Sequence, residues 1–331
     1  MTDTGIVRLG FIGSGGNARH HMGQVLKLEE FQIVAINDPN PAMLQAAKRQ
    51  YPTLADVPTF DDYRKMLDTV EMDAVEISTP HTLHYEQIVA SLEKGLHVLC
   101  EKPLVCTVAH AKDVIHRLQK SGKVGLVSYQ RHYQPEFLYI RQKIASGDFG
   151  KVQFVSALQC QNWKRSQAGT WRQDPALSGG GQLNDSGSHL LDIILWVTGL
   201  SVESVSAFID NLGTPVDINS ALSLKFRGGA LGNISIVGDS PDWHEDITIW
   251  CENGIFFMRN GKLQVCDGAA NRYSFDQMRG GSFPDKNFLD AIKGRDTVQA
   301  PFTCGLRVIE LTEAAWKSAA KGGIPVQVEA V

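Results

Sequence analysis

The first 128 residues repeat one rhythm, a short β-branched run followed by an amphipathic stretch, and that rhythm leaves few folds open. The runs are IVRLGFI, QIVAIN, DAVEIS, LHVLCE and KVGLVS, with VPTF a weaker one. Between them lie PAMLQAAKRQY, YEQIVASLEKG and VAHAKDVIHRLQKSG, each with apolar residues at helical spacing. Parallel neighbours need a crossover long enough to hold a helix, so the alternation predicts a doubly wound parallel sheet covered on both faces. After Ser128 the rhythm changes. A helical PEFLYIRQKIASG leads to the strand-like GKVQFVSALQCQ, a polar and aromatic loop and an apolar helix. Then come VESVSAFI, SALSLKF, ALGNISIV, DITIWC, GIFFMR and KLQVC, several joined by the tight turns RGGA, CENGI and RNGK. Such turns mark antiparallel hairpins. Two helical patterns, FPDKNFLDAIKG and GLRVIELTEAAWKSAAKG, follow. The expected fold class is therefore α/β, with the parallel sheet in residues 1–128 and an α+β domain in 129–331. The second domain is expected to carry a large, mostly antiparallel open sheet, one face of which would suit a second subunit. A chain of 331 residues exceeds one ordinary core, which agrees with two domains.

Charge and cysteine usage exclude several partners. The net charge is −4 with no long basic run, which argues against nucleic acid and anionic membrane. MTDTGIVRLGFIG lacks the basic-then-apolar order of a secretory signal, and LLDIILWVTGL is too short to span a bilayer. Cys100, Cys106, Cys160, Cys251, Cys266 and Cys304 form no C-x-x-C pair. Scattered thiols of this kind point to a reducing cytoplasm and to no metal site.

The first strand runs into LGFIGSGGNARHH, in which Gly13-Ser14-Gly15-Gly16-Asn17-Ala18 fits G-x-G-x-x-G/A. In a strand–turn–helix setting this is the dinucleotide-binding fingerprint of a Rossmann domain. Gly13 permits the turn, Gly15 lets amides approach a pyrophosphate, and Ala18 lets the helix pack on the strand. The second strand ends in Asp38, near the separation of roughly 20 residues expected of the ribose-binding acid. A carboxylate there repels a 2′-phosphate, and Pro39 and Asn40 supply no compensating arginine, so NAD is expected over NADP. Two more loops leave the carboxyl edge of the sheet: STPHTLHYEQ with Thr79, Pro80 and His84, and CEKPL with Glu101, Lys102 and Pro103.

In the second half, GGGQLNDSGSHLLDIILW places Asp185, His189 and Asp192 at offsets of four and three. On a helix they would share a face. Taken alone, Asp185 and His189 could be a surface pair worth only about 0.3–0.5 kcal/mol.

Together these strings resemble the glucose–fructose oxidoreductase, inositol dehydrogenase and rhizopine-catabolism (Gfo/Idh/MocA) family. The resemblance takes in the glycine loop on to His21, Asp38-Pro39, Thr79-Pro80 with His84, and GLHVLCEKPL. It continues through YQRHYQPEF, SGDFGKV, TWRQDPALSGGGQLNDSGSHLLD and the terminal NFLDAIKG and GLRVIELTEAAWKSA. It implies a nicotinamide cofactor, a homodimer or homotetramer, and matches of the family's Glu-Lys-Pro lysine to Lys102 and its D-x-x-x-H pair to Asp185 and His189. A cis bond at Lys102-Pro103 is often part of the pattern. Asn17 replaces the usual aliphatic residue, and Gln134 stands where some polyol-oxidising members have an acid, which speaks against inositol.

The expected chemistry is NAD-dependent oxidation of a secondary hydroxyl on a sugar, cyclitol or related polyol. His189 would take the hydroxyl proton, Asp185 orient the ring or a substrate hydroxyl, and Lys102 polarise the alkoxide or ketone. The glycines would let the chain pass close to cofactor and sugar. Asp192 is expected to support the site from behind. Trp163, Trp171, Arg172 and Arg131 are candidate substrate contacts, the indoles by stacking on a sugar ring and the guanidinium groups by hydrogen bonding, with His132 near them. The alternative is a loop pinned by its tryptophans, and for Trp171 the two readings weigh equally. Two other functions share these residues: an NAD-retaining glycosidase or lyase that oxidises the sugar ring transiently, and a non-enzymatic nucleotide-binding regulator.

Overall fold

The computed structural model describes residues 5–275 and 278–329. Residues 1–4, part of the expected leaderless N-terminus, and 330–331, the end of the expected second domain, lie outside them.

The first half builds β1 (Val7–Ile12), α1 (Gly16–Val25), β2 (Phe31–Asn37), α2 (Pro41–Gln50), β3 (Thr59–Phe60), α3 (Tyr63–Thr69) and β4 (Ala74–Ile77). It continues with α4 (His84–Glu93), β5 (His97–Cys100), α5 (Val108–Ser121) and β6 (Gly125–Val127). The strands form one sheet in the order β3-β2-β1-β4-β5-β6, every neighbour parallel. Strand order reverses between β1 and β4, and such a switch point opens a crevice at the carboxyl ends. Asn40 caps α2 and Asp62 caps α3 through their side chains.

The second half adds α6 (Pro135–Ala145), β7 (Val152–Cys160), the single turns α7 (Trp163–Ser166) and α8 (Pro175–Ser178), and α9 (Gly187–Thr198). Next are β8 (Val202–Asp210), β9 (Asn219–Phe226), β10 (Leu231–Val237), β11 (His244–Cys251), β12 (Gly254–Arg259), β13 (Lys262–Asp267) and β14 (Arg272–Phe275). Then follow α10 (Pro284–Ile292), α11 (Phe302–Ala320) and β15 (Val326–Gln327). The nine strands run β14-β13-β12-β11-β7-β10-β9-β8-β15, antiparallel throughout except for β7 beside β10. Along β9, Ser220, Leu222, Leu224 and Phe226 are buried while Ala221, Ser223 and Lys225 are exposed. This alternation leaves one face of the sheet open.

Two compact units divide the chain differently from a single boundary at residue 128. One holds the chain up to Val105, Ala109–Gln130 and Ser282–Gly305; the other holds Cys106–Val108, Arg131–Gly281 and Leu306 onward. The expected second domain thus gives up 282–305. The physical reason is burial: Phe288 and Leu289 of α10 join the core made by Val7, Phe31, Ile33 and Leu126. None of the six cysteines forms a disulfide. No helix among the described residues is long and apolar enough to cross a membrane.

Candidate active site

In the first unit the glycine loop has the geometry a pyrophosphate needs. Gly13 has φ +100°, and a Cβ there would lie 2.4 Å from the carbonyl oxygen of Ser78. A Cβ on Gly15 or Gly16 would meet nothing within 4 Å. No side chain caps the first amides of α1, and its first turn holds no acid. These N–H groups with the helix dipole suit an anion. Ala18 is fully buried, whereas Asn17 is exposed and leaves helix packing undisturbed. Asp38 Oδ2 accepts from the Ser14 N–H at 2.9 Å and the Ser14 hydroxyl at 3.0 Å, and Oδ1 accepts from Asn40 N–H. The acid therefore braces the loop from a half-buried position at the end of β2.

The other two loops are tied by one ring. His84 is wholly buried, with Nδ1 2.8 Å from the Pro103 carbonyl and Nε2 3.0 Å from the Thr79 carbonyl. Burial lowers its pKa against the pull of both carbonyls. His84 acts on this edge by holding two loops together. Thr79 donates to Gln87 at 2.6 Å, and Pro80 stays half-buried. Lys102-Pro103 is cis, and Lys102 is 7% exposed. Its backbone N–H donates to Glu101 Oε2 at 3.2 Å.

In the second unit, the expected helical stripe is not one stripe. Asp185 lies in the turn before α9, since the chain from 181 to 186 is held by other bonds. Gln182 N–H donates to the Asp217 carbonyl, Asp185 N–H to the Gly181 carbonyl and Gly187 N–H to the Gln182 carbonyl. The buried Asp217 carboxylate cradles the turn: Oδ1 accepts from Gly181 N–H at 2.9 Å and Trp316 Nε1 at 3.1 Å, and Oδ2 from Leu183 N–H at 2.7 Å. Burial raises its pKa, and these donors oppose the rise. The glycines answer to this packing. A Cβ on Gly181 would lie 2.0 Å from the Asp217 carbonyl, one on Gly180 2.6 Å from the Trp316 ring, and one on Gly187 2.6 Å from Ile236. At these three positions crowding inside the unit leaves no space for a side chain.

Asp185 is 5% exposed. Its Oδ2 accepts from Trp163 Nε1 at 2.8 Å and Arg172 Nε at 3.1 Å. Trp163 packs with Val216 and Ile218, so the expected stacking platform is an anchor for the acid. Trp171 is half-buried beneath the Arg172 guanidinium, 4.5 Å from its ring centre. Arg131 donates to Glu245 at 2.6 Å. Asp192 accepts from His132 at 2.7 Å inside the unit, and His132 stacks on Trp196 at 4.1 Å. Gln134 is exposed just before α6.

Eleven of the twelve residues of α9 are buried, Ser188, Asp192 and Thr198 among them, so burial runs all round the helix. The exception is His189, half-buried in the first turn.

The sequence reading did not single out Asp217 or Glu245. Asp217 sits in PVDIN, where an acid between two apolar residues is a weak signal for a buried carboxylate.

The six-stranded parallel sheet with its glycine loop defines the first unit as a dinucleotide-binding Rossmann class of fold, and comparison with known proteins is specific. Residues 7–129 match the family model described as an oxidoreductase family, NAD-binding Rossmann fold, and 137–257 match the GFO/IDH/MocA C-terminal domain. The chain belongs to the Gfo/Idh/MocA family. It is 29% identical over 203 residues to D-glucoside 3-dehydrogenase of Escherichia coli, covering 61% of this chain and 57% of that one. It is 25% identical over 262 residues to levoglucosan dehydrogenase of Pseudarthrobacter phenanthrenivorans, covering 70% and 66%. The aligned part thus spans less than two thirds of either relative. Among solved structures, the WlbA dehydrogenase of Bordetella pertussis in complex with NADH and UDP-GlcNAcA superposes with TM-score 0.86 at 23% identity, over 98% of both chains. That likeness is one of fold.

Proposed function

We propose that this protein is an NAD-dependent dehydrogenase acting on a secondary hydroxyl of a sugar, cyclitol or related polyol. The observation that carries the reading is the single opening in α9: a helix buried everywhere else presents one imidazole, one turn beyond an acid fixed by two donors. An accidental surface pair would not be built this way, because a buried carboxylate is costly unless something holds it.

In this reading His189 accepts the hydroxyl proton, a task suited to a group that titrates near neutrality. Asp185, immobilised by Trp163 and Arg172, receives a hydrogen bond from a neighbouring hydroxyl or from the ring. Lys102 stabilises the negative charge that develops on the substrate oxygen. A nicotinamide, when bound, would supply the hydride acceptor. Gly13, Gly15 and Asp38 fit such a cofactor, and the open space over Gly15 and Gly16 supports that fit. The open face of the nine-stranded sheet, with Phe208 67% exposed, supports a homodimer or homotetramer.

A panel of a β-glucoside, levoglucosan and inositols, followed by NADH absorbance, tests the reading. Turnover is expected with at least one sugar, lost in Lys102→Met and His189→Ala. Tight NAD binding without turnover on any of them would overturn it, and release of an aglycone without net NADH would replace it with the glycosidase or lyase reading.

A further inference from the structure

A second cluster of charged groups is built into the first unit. His21 on α1 is 3% exposed and gripped from several sides. Its Nδ1 lies 2.8 and 3.0 Å from the two carboxylate oxygens of Asp285 on α10. Its Nε2 lies 3.1 Å from Glu101 Oε1, 3.2 Å from the Ser128 hydroxyl and 3.9 Å from Glu76 on β4. His20 approaches edge-on, with ring centres 6.1 Å apart. Glu76 is wholly buried and accepts from the Ser78 hydroxyl.

A ring facing a carboxylate at each nitrogen satisfies both only as the imidazolium, since the neutral ring has one N–H. Burial alone would lower the His21 pKa; Asp285 and then Glu101 override it and hold it well above the usual value. Burial pushes Glu76 up to about 8 against the pull of His21. The constraint then passes outward. Glu101 meets His21 through Oε1 and the backbone N–H of Lys102 through Oε2.

We propose that His21 is a positioning residue for Lys102: clamped by Asp285, it fixes Glu101, and Glu101 fixes the backbone that carries the lysine. The inference rests on the dehydrogenase reading, which gives Lys102 its role at the cofactor and the alkoxide. A buried ionic cluster is weak as a stabiliser beside an apolar core of the same volume, so its presence here suits a geometric task. It also links α1, whose first turn suits the pyrophosphate, to the lysine loop.

The test needs no substrate. NADH binding is titrated by energy transfer from tryptophan in the wild type, His21→Gln, Lys102→Met and the double variant. Each single change is expected to weaken NADH about tenfold, the scale of one charge-assisted hydrogen bond. The double variant is expected to bind no worse than the weaker single one, since both changes act on one group. Multiplied losses in the double variant, or unchanged affinity in either single one, would overturn the proposal. If His21→Gln melts below the assay temperature, Asp285→Asn, which keeps the ring and removes one clamp, is read in its place by the same criteria. An empty sugar screen would refute the dehydrogenase reading and leave this binding cycle intact.

Discussion

Replacing Asp217 by asparagine keeps the shape of the side chain and exchanges one acceptor oxygen for a donor. In the wild type three N–H groups converge on the carboxylate, two on Oδ1 and one on Oδ2. With the amide oxygen toward Gly181 and Trp316, the NH2 group faces the Leu183 N–H; turned over, it faces the other two. One or two buried donors lose their partner, at about 1–3 kcal/mol each. Part of this is offset, because burial already disfavours the charged carboxylate, as its raised pKa shows. A net cost of about 1–3 kcal/mol is expected, concentrated in the turn that presents Asp185. Hydrogen exchange resolved at Gly181 and Leu183 reads it directly, with both amides exchanging about 5- to 100-fold faster at unchanged protection in β1 and β4. Sugar oxidation should fall with them. Exchange at both amides equal to wild type would refute the claim that this carboxylate shapes the turn.

Three further outcomes follow from the first unit. Gly13→Ala should cost about 2 kcal/mol or more, from a positive φ and a 2.4 Å clash with the Ser78 carbonyl; Gly15→Ala should melt like wild type yet bind NAD poorly, and equal melting of the two variants would contradict this. Asp38→Ala should weaken NAD about tenfold and narrow its preference over NADP, read by parallel titrations of the two cofactors. Glu76 keeps in the fold, up to about pH 8, a proton that the unfolded chain releases near 4.5. Its contribution is therefore complete at low pH and is lost as pH rises through that window. Glu76→Gln cannot ionise, so its melting temperature should decline less between pH 5 and 8 than that of the wild type.

Much of the first unit was legible in the sequence because each strand and helix carries its own period and the glycine loop lies where a strand meets a helix. The short edge strands β14 and β15 were not. RYSF is nearly all exposed, and a two-residue pairing leaves no pattern. The offsets among Asp185, His189 and Asp192 satisfy a helix, and only the hold of Asp217 on the preceding turn takes Asp185 out of it. Trp163 looked like a sugar platform because composition cannot tell which face of an indole is covered. Periodicity also says nothing about which sheet a helix will pack on, so the return of α10 to the first unit was invisible.

That return bears on how the molecule is made. A ribosome releases the first six strands early, but the helix that closes their core, and the aspartate that grips His21, are encoded after eight of the nine strands of the second sheet. Until about nine tenths of the chain has emerged, the nascent cofactor half keeps a greasy flank uncovered and an imidazole short of one counter-ion. Excising residues 1–130 as a stand-alone nucleotide module should therefore yield an aggregating fragment, whereas grafting 282–305 onto it by a short linker should rescue its solubility.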